Sequence, residues 1–136
     1  MTAITTPRLK ESSDSLLRFS MRADAVLSGL AGIAGIPLAG RMAEMSGTTT
    51  AFEYSMSAFF IAYGVLVLAL AQLPSVRKPG IAVVCGNLLY TVAAVVFVLA
   101  GWMPLTTTGV VLTLASGVYT LVFAELQYQG VKRVKR

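Results

Sequence analysis

Four apolar runs, each reaching the ~20 residues a helix needs to cross a bilayer, fill most of the chain between Ala23 and Gln127. They cover about residues 23–42, 51–73, 80–103 and 107–127. The breaks between them hold turn-forming or polar residues: Ser46-Gly47 with Thr48 to Thr50, then Pro74 to Gly80, then Pro104. A water-soluble domain keeps roughly a quarter of its residues charged, but this sequence is 56% hydrophobic and only 12% charged. It cannot cover itself with a polar surface. The expected fold is therefore an all-α membrane protein, an up-down bundle of four transmembrane helices. One transmembrane domain spans 23–127, an N-terminal segment occupies 1–22, and a basic tail occupies 128–136.

The first run is read as a mature helix rather than a secretion signal. A signal h-region is short and is followed by a small-residue cleavage site, whereas the approach here is long, of mixed charge, and lacks a convincing cleavage pattern. Within 1–22, Glu11 to Arg22 reads as a short amphipathic helix capped by Ser12 or Ser13. Leu16, Leu17 and Phe19 would rest on the membrane surface, with a turn into the bilayer near Arg22. Residues Met1 to Lys10 read as unstructured.

The basic residues set the orientation. Of the 11 Lys and Arg, only Arg41 falls on one side of the four-span topology; the others precede the first span, lie in the 74–79 loop, or follow the fourth span. Basic loops stay in the cytoplasm, so both termini are expected there. The tail residues Lys132, Arg133, Lys135 and Arg136 are placed to meet anionic lipid headgroups. The net charge of +5 does not point to nucleic acid, because no soluble basic face interleaved with aromatics is present.

Composition removes several chemistries. The chain has no histidine and one cysteine, Cys85, which leaves no imidazole base, no Ser-His-Asp triad, no histidine-zinc site and no CxxC pair. No metal or cofactor is expected, and no enzymatic activity. Trp102, Met103, Phe52 and Tyr54 mark one interface and Tyr128 the other, while Tyr63, Tyr90 and Tyr119 lie deeper, where a hydroxyl needs a partner.

Two groups of residues stand out. Ser28, Gly29, Gly32 and Gly35 form a small-residue stripe on the first span, suited to a close helix crossing, with the fourth span (Ala115 to Gly117) or with a second copy. Asp24, Glu125 and Asn87 lie towards the cytoplasmic ends of spans one, four and three, with Arg18 and Arg22 close by and Gln72 and Gln127 at a similar level. Asn87 and Tyr90, three apart, share a helix face. In an up-down bundle these ends converge into a polar cluster in which arginine neutralises the two carboxylates. Such a cluster is either a lock between helix ends or a binding site. Arg41 with Glu44 forms a further candidate pair, and Glu53 lies in the first turn of span two, where the helix dipole favours an anion.

The stretch from Leu17 to Ala25, LRFSMRADA, followed by the glycine-rich span and by Gly86-Asn87-Leu88-Leu89-Tyr90, resembles a group of small four-span integral membrane proteins common in actinobacteria. They share an LR-x-x-x-R-x-D-A approach to the first helix and an Asn followed by an aromatic in the third. The likeness extends from Leu16 to Gln127. It implies the four-span architecture, an inner-membrane location, and Arg18, Arg22, Asp24 and Asn87 as shared polar positions; no activity is established for the group. Tyr90 stands where that group more often has Trp. Small multidrug transporters carry a Glu inside the first helix, which this chain lacks, and no motif of the DoxX-like proteins is present.

The leading expectation for function is a non-enzymatic accessory or scaffold subunit, packed against a membrane-protein partner or as a homo-oligomer, with membrane lipids around it. The alternative is a small transporter or a lipid- or quinone-binding module using the polar cluster.

Overall fold

The computed structural model describes residues 2–134, with side chains from Ser13 onward. Four helices follow one another: α1 (Thr2–Ser46), α2 (Thr50–Leu70), α3 (Arg77–Ala100) and α4 (Thr107–Arg133). Each contains a stretch long and apolar enough to cross a membrane, in α1 the segment Ser13–Ser46, as expected of a multi-pass membrane protein. Leu30, Leu66, Leu89 and Leu99 are among the many large apolar side chains left on the outside. The buried interior is instead rich in small and polar residues. That inversion suits a lipid surround, where close backbone approach rather than apolar burial holds helices together.

The first 22 residues depart from the expected surface helix. α1 is continuous from Thr2, so no helix starts near residue 12 or 13 and the chain makes no turn at Arg22. Leu17 and Met21 are fully buried, and Leu17, Met21, Asp24, Ser28 and Gly32 follow the 3–4 spacing of one helix face. The face that packs inside the bundle thus begins well before the apolar run, and the chain has no reason to bend. Leu17 wedges between α3 and α4: a Cβ on Gly80 would meet its methyl at 2.7 Å, and one on Gly130 would meet its Cα at 2.7 Å. The 34 residues from Ser13 to Ser46 give ~51 Å of helix, against a hydrocarbon core of ~30 Å.

Helix ends leave backbone groups unpaired, and this chain satisfies many of them internally. At one end, called here the arginine end, the Arg18 guanidinium donates to the carbonyls of Ala71 (2.9 Å), Leu73 (2.7 Å) and Pro74 (2.9 Å) beyond the C-terminus of α2. At the opposite end, the Thr106 hydroxyl donates to the Met45 carbonyl and its N–H to Ser46. The Thr49 and Thr106 side chains cap α2 and α4, accepting from Phe52 and Gly109 N–H. Gly47 and Gly101 have φ of 77° and 66°, the left-handed conformation that closes a helix C-terminus most cheaply with glycine.

Close packing runs between α1 and α2, α3 and α4, and α1 and α4; α2 and α3, though consecutive, form no comparable seam. The α1–α4 neighbourhood brings Ala25 and Ala124, each 2% exposed, to one interior layer. Cysteines at these two positions, in a Cys85→Ser background, are expected to crosslink under mild oxidation. A yield no higher than that of a pair at Ala25 and Leu99 would reject the α1–α4 seam.

Candidate functional site

Asp24 is the centre of the interior. Its side chain is fully buried, and every helix sends it a hydrogen bond. The Oδ2 atom accepts from the Tyr63 hydroxyl of α2 at 2.7 Å, the Asn87 amide of α3 at 3.0 Å and the Gln127 amide of α4 at 3.0 Å. The Oδ1 atom accepts from Ser28, one turn further along α1, at 3.2 Å and from the Tyr119 hydroxyl of α4 at 3.1 Å. Asn87 also donates to Gln127 Oε1 at 2.8 Å, so the carboxylate and the two amides close a triangle.

Helical phase explains the convergence. Gly80, Val83, Asn87 and Ala94 are the buried residues of α3, while Gly117, Thr120, Ala124, Gln127 and Val131 mark the buried stripe of α4. Asn87 and Gln127 take positions on these stripes that an apolar residue would otherwise fill. A second tier continues the α3–α4 seam: Thr91 and Thr120 share a 2.7 Å hydrogen bond, and Tyr90 donates to Ser116 at 3.0 Å.

Depth follows from helix rise. α1 climbs ~9 Å from Arg18 to Asp24, and α3 climbs ~15 Å from Arg77 to Asn87. Asp24 therefore lies inside the bundle rather than at its edge. Among the described residues no cation pairs with it; the ion pair found joins Arg18 to Asp14 at 3.1 Å. A buried carboxylate without a counter-charge is costly, and here the donors offset that cost, since hydrogen bonds to a charged acceptor are the strong ones. The second Asp14 oxygen, Oδ1, is buried with no hydrogen-bond partner among the described residues.

The structure brings together only part of the expected cluster. Asp24 and Asn87 meet, joined by Gln127, Tyr63, Tyr119 and Ser28. Arg22 and Glu125 do not join them: Arg22 is exposed, and Glu125 is exposed and accepts from Gln129 at 2.7 Å. The reason is rotation. Residues two apart on a helix point to nearly opposite sides, so Arg22 cannot face the interior with Asp24, nor Glu125 with Gln127. Arg18 is drawn to Asp14 and the end of α2 instead. Tyr90, although three residues from Asn87, turns to Ser116. The Arg41–Glu44 pair is not formed; both side chains are exposed.

The glycines of the small-residue stripe are used within the chain, against α2, while Ser28 lies 3.4 Å from the Tyr119 hydroxyl of α4. A Cβ on Gly32 would meet the Ser57 carbonyl at 2.6 Å, one on Gly35 would meet Ser57 Oγ, and one on Gly64 would meet Gly29 N at 3.0 Å. Gly117 faces Ala94 and Thr91 of α3 rather than α1. Lys132 and Arg133 are exposed, with Lys132 over the Tyr128 ring at 5.1 Å; Lys135 and Arg136 lie outside the described residues.

Chemically, the hub is a carboxyl group held by hydroxyl and amide donors. Among the described residues, no group of His, Cys, Asp and Glu is arranged to hold a metal ion. Tyr63, Tyr119 and Gln127 are the members least visible in sequence. Their signal was the need of a hydroxyl or amide for a partner at membrane depth, and for Gln127 also the 3–4 spacing from Thr120 and Ala124. No protein family, curated protein or solved structure matches the chain.

Proposed function

We propose that this chain is a multi-pass protein of a bacterial cytoplasmic membrane, with the arginine end and both termini in the cytoplasm. It works there as an accessory or scaffold unit, packing against a larger membrane complex or against copies of itself, without chemistry of its own. The observation that carries this reading is the closure of the interior polar groups on Asp24. The buried Asp24 side chain joins all four helices, and its amide partners direct three N–H groups into the same triangle. The basic bias of the arginine end supports the orientation, and the exposed Lys132 and Arg133 suit anionic headgroups. With Gly32 and Gly35 consumed inside the chain, a partner would meet the outward apolar faces.

Extraction into native nanodiscs followed by mass measurement tests the proposal. The expected result is a particle holding either several copies of the chain or the chain and another membrane protein at fixed ratio. A particle holding one copy and lipid alone would overturn it. A ligand-binding role is the second reading, and one observation favours it: a cavity on the side of the hub away from the arginine end.

A further inference from the structure

Where α2 and α3 fail to form a seam, aromatic rings bridge the interval. Phe52 stacks on Phe97 with centroids 5.4 Å apart and planes within 8°, and Phe59 and Phe60 reach Tyr90 at 6.5 and 6.1 Å. Beside these rings lies a cavity of about 530 Å³ that extends to Trp102 and Glu53 near the opposite end, within the ~300–1,000 Å³ range of small-molecule sites. Its walls are mostly apolar, and Glu53 is the one charged side chain among the described residues lining it. The Glu53 carboxylate takes a hydrogen bond from Thr48 at 2.8 Å and forms no ion pair among the described residues, so it keeps acceptor capacity. Its place in the first turn of α2 suits a negative charge.

Two features of this wall select for the same ligand charge. Aromatic faces present the negative part of their quadrupole and attract cations, most strongly where water is scarce. A lone acidic side chain at the edge of an apolar chamber attracts a cation and repels an anion, with a field screened less than in water. A neutral acyl chain would fill the volume but leave Glu53 unused, and a fatty acid or anionic headgroup would meet like charge. We propose that the α2–α3 cavity binds lipophilic organic cations, with Glu53 as counter-charge and the Phe52, Phe97 and Tyr90 rings holding the apolar body.

The chain has a single tryptophan, and Trp102 lines the cavity in edge contact with Phe97 at 6.2 Å, so its fluorescence reports the site directly. The probes are tetraphenylphosphonium and its shape-matched anion tetraphenylborate, titrated against the full chain in phosphatidylcholine nanodiscs. Saturable quenching by the phosphonium is expected, with only linear, partition-driven quenching by the borate. Glu53→Gln should weaken phosphonium binding about tenfold. Glu44→Gln, which removes an exposed charge outside the cavity, should leave it unchanged. Ala93→Phe, which adds a ring to a lining position, should abolish saturation while the melting temperature is retained, separating loss of site from loss of fold. Equal quenching by both ions, or wild-type affinity in Glu53→Gln and Ala93→Phe, would overturn the proposal.

Discussion

Replacing Asp24 with alanine is expected to lower the unfolding free energy by about 3 kcal/mol, measured by denaturant titration in a mild detergent. Two routes lead to that magnitude. Hydrogen bonds between membrane helices average ~0.6 kcal/mol each, and five converge on this carboxylate. Counting orphans instead, the hydroxyls of Ser28, Tyr63 and Tyr119 can turn to one another or to Asn87 Oδ1, which lies 3.2 Å from Tyr63. The Gln127 amide and one Asn87 N–H then lose their acceptor, at ~1–3 kcal/mol for each buried group left unsatisfied. Asp24→Asn should cost about 1 kcal/mol or less. Its NH₂ can occupy the Oδ1 position, where both neighbours are hydroxyls able to accept, while its oxygen keeps the three donors now on Oδ2. Equal losses for the two variants would show that the negative charge, rather than the acceptor geometry, holds the hub. A loss below ~0.5 kcal/mol for Asp24→Ala, the scale of surface substitutions, would remove the hub from the fold's energetics.

The contrast between Asp24 and Arg22 marks how far the sequence could be read. The apolar length of each run, which lipid thickness dictates, made all four spans legible. The relative level along each helix was legible too, and it brought Asp24, Asn87 and Gln127 together with Glu125 close by. Rotation about each axis decided which of these meet, and it admitted Gln127 while excluding Glu125. That phase is carried by the 3–4 spacing of Thr120, Ala124 and Gln127, from which Glu125 departs.

The partner of the glycine stripe was less accessible. Small residues at Gly29, Gly32 and Gly35 announce that some backbone comes close; which one depends on the surface opposite, and at this level α2 supplies Ser57 and Gly64. The continuity of α1 was hidden for another reason. Leu17 and Met21 look like one side of a surface helix until Gly80 and Gly130, far along the chain, are seen to leave room for Leu17.

Gly64→Ala is expected to destabilise the protein by about 2 kcal/mol, and Gly64→Leu by more, because the space it would need is occupied by backbone. The added Cβ would lie 2.6 Å from the Ala25 carbonyl oxygen and 3.0 and 3.1 Å from Gly29 N and Cα. No rotamer change relieves such contacts, so α1 and α2 must separate at their crossing. Gly86 is the control: it is also in mid-helix, but a Cβ there meets nothing within 4 Å. Gly86→Ala should stabilise by about 0.5–1 kcal/mol, the helix-propensity gain of alanine over glycine. Melting temperatures shifted in opposite directions would fix the α1–α2 crossing at Gly64; parallel shifts would refute it. The crossing is also coupled to the hub, since Ala25 follows Asp24 and Tyr63 precedes Gly64. Separation of the helices stretches the 2.7 Å Tyr63–Asp24 bond. In a double-mutant cycle, Gly64→Ala should therefore cost less in the Asp24→Ala background, where that bond is already absent. Strict additivity would mean that α2 is held by the glycine crossing alone and that Tyr63 contributes nothing to the lock.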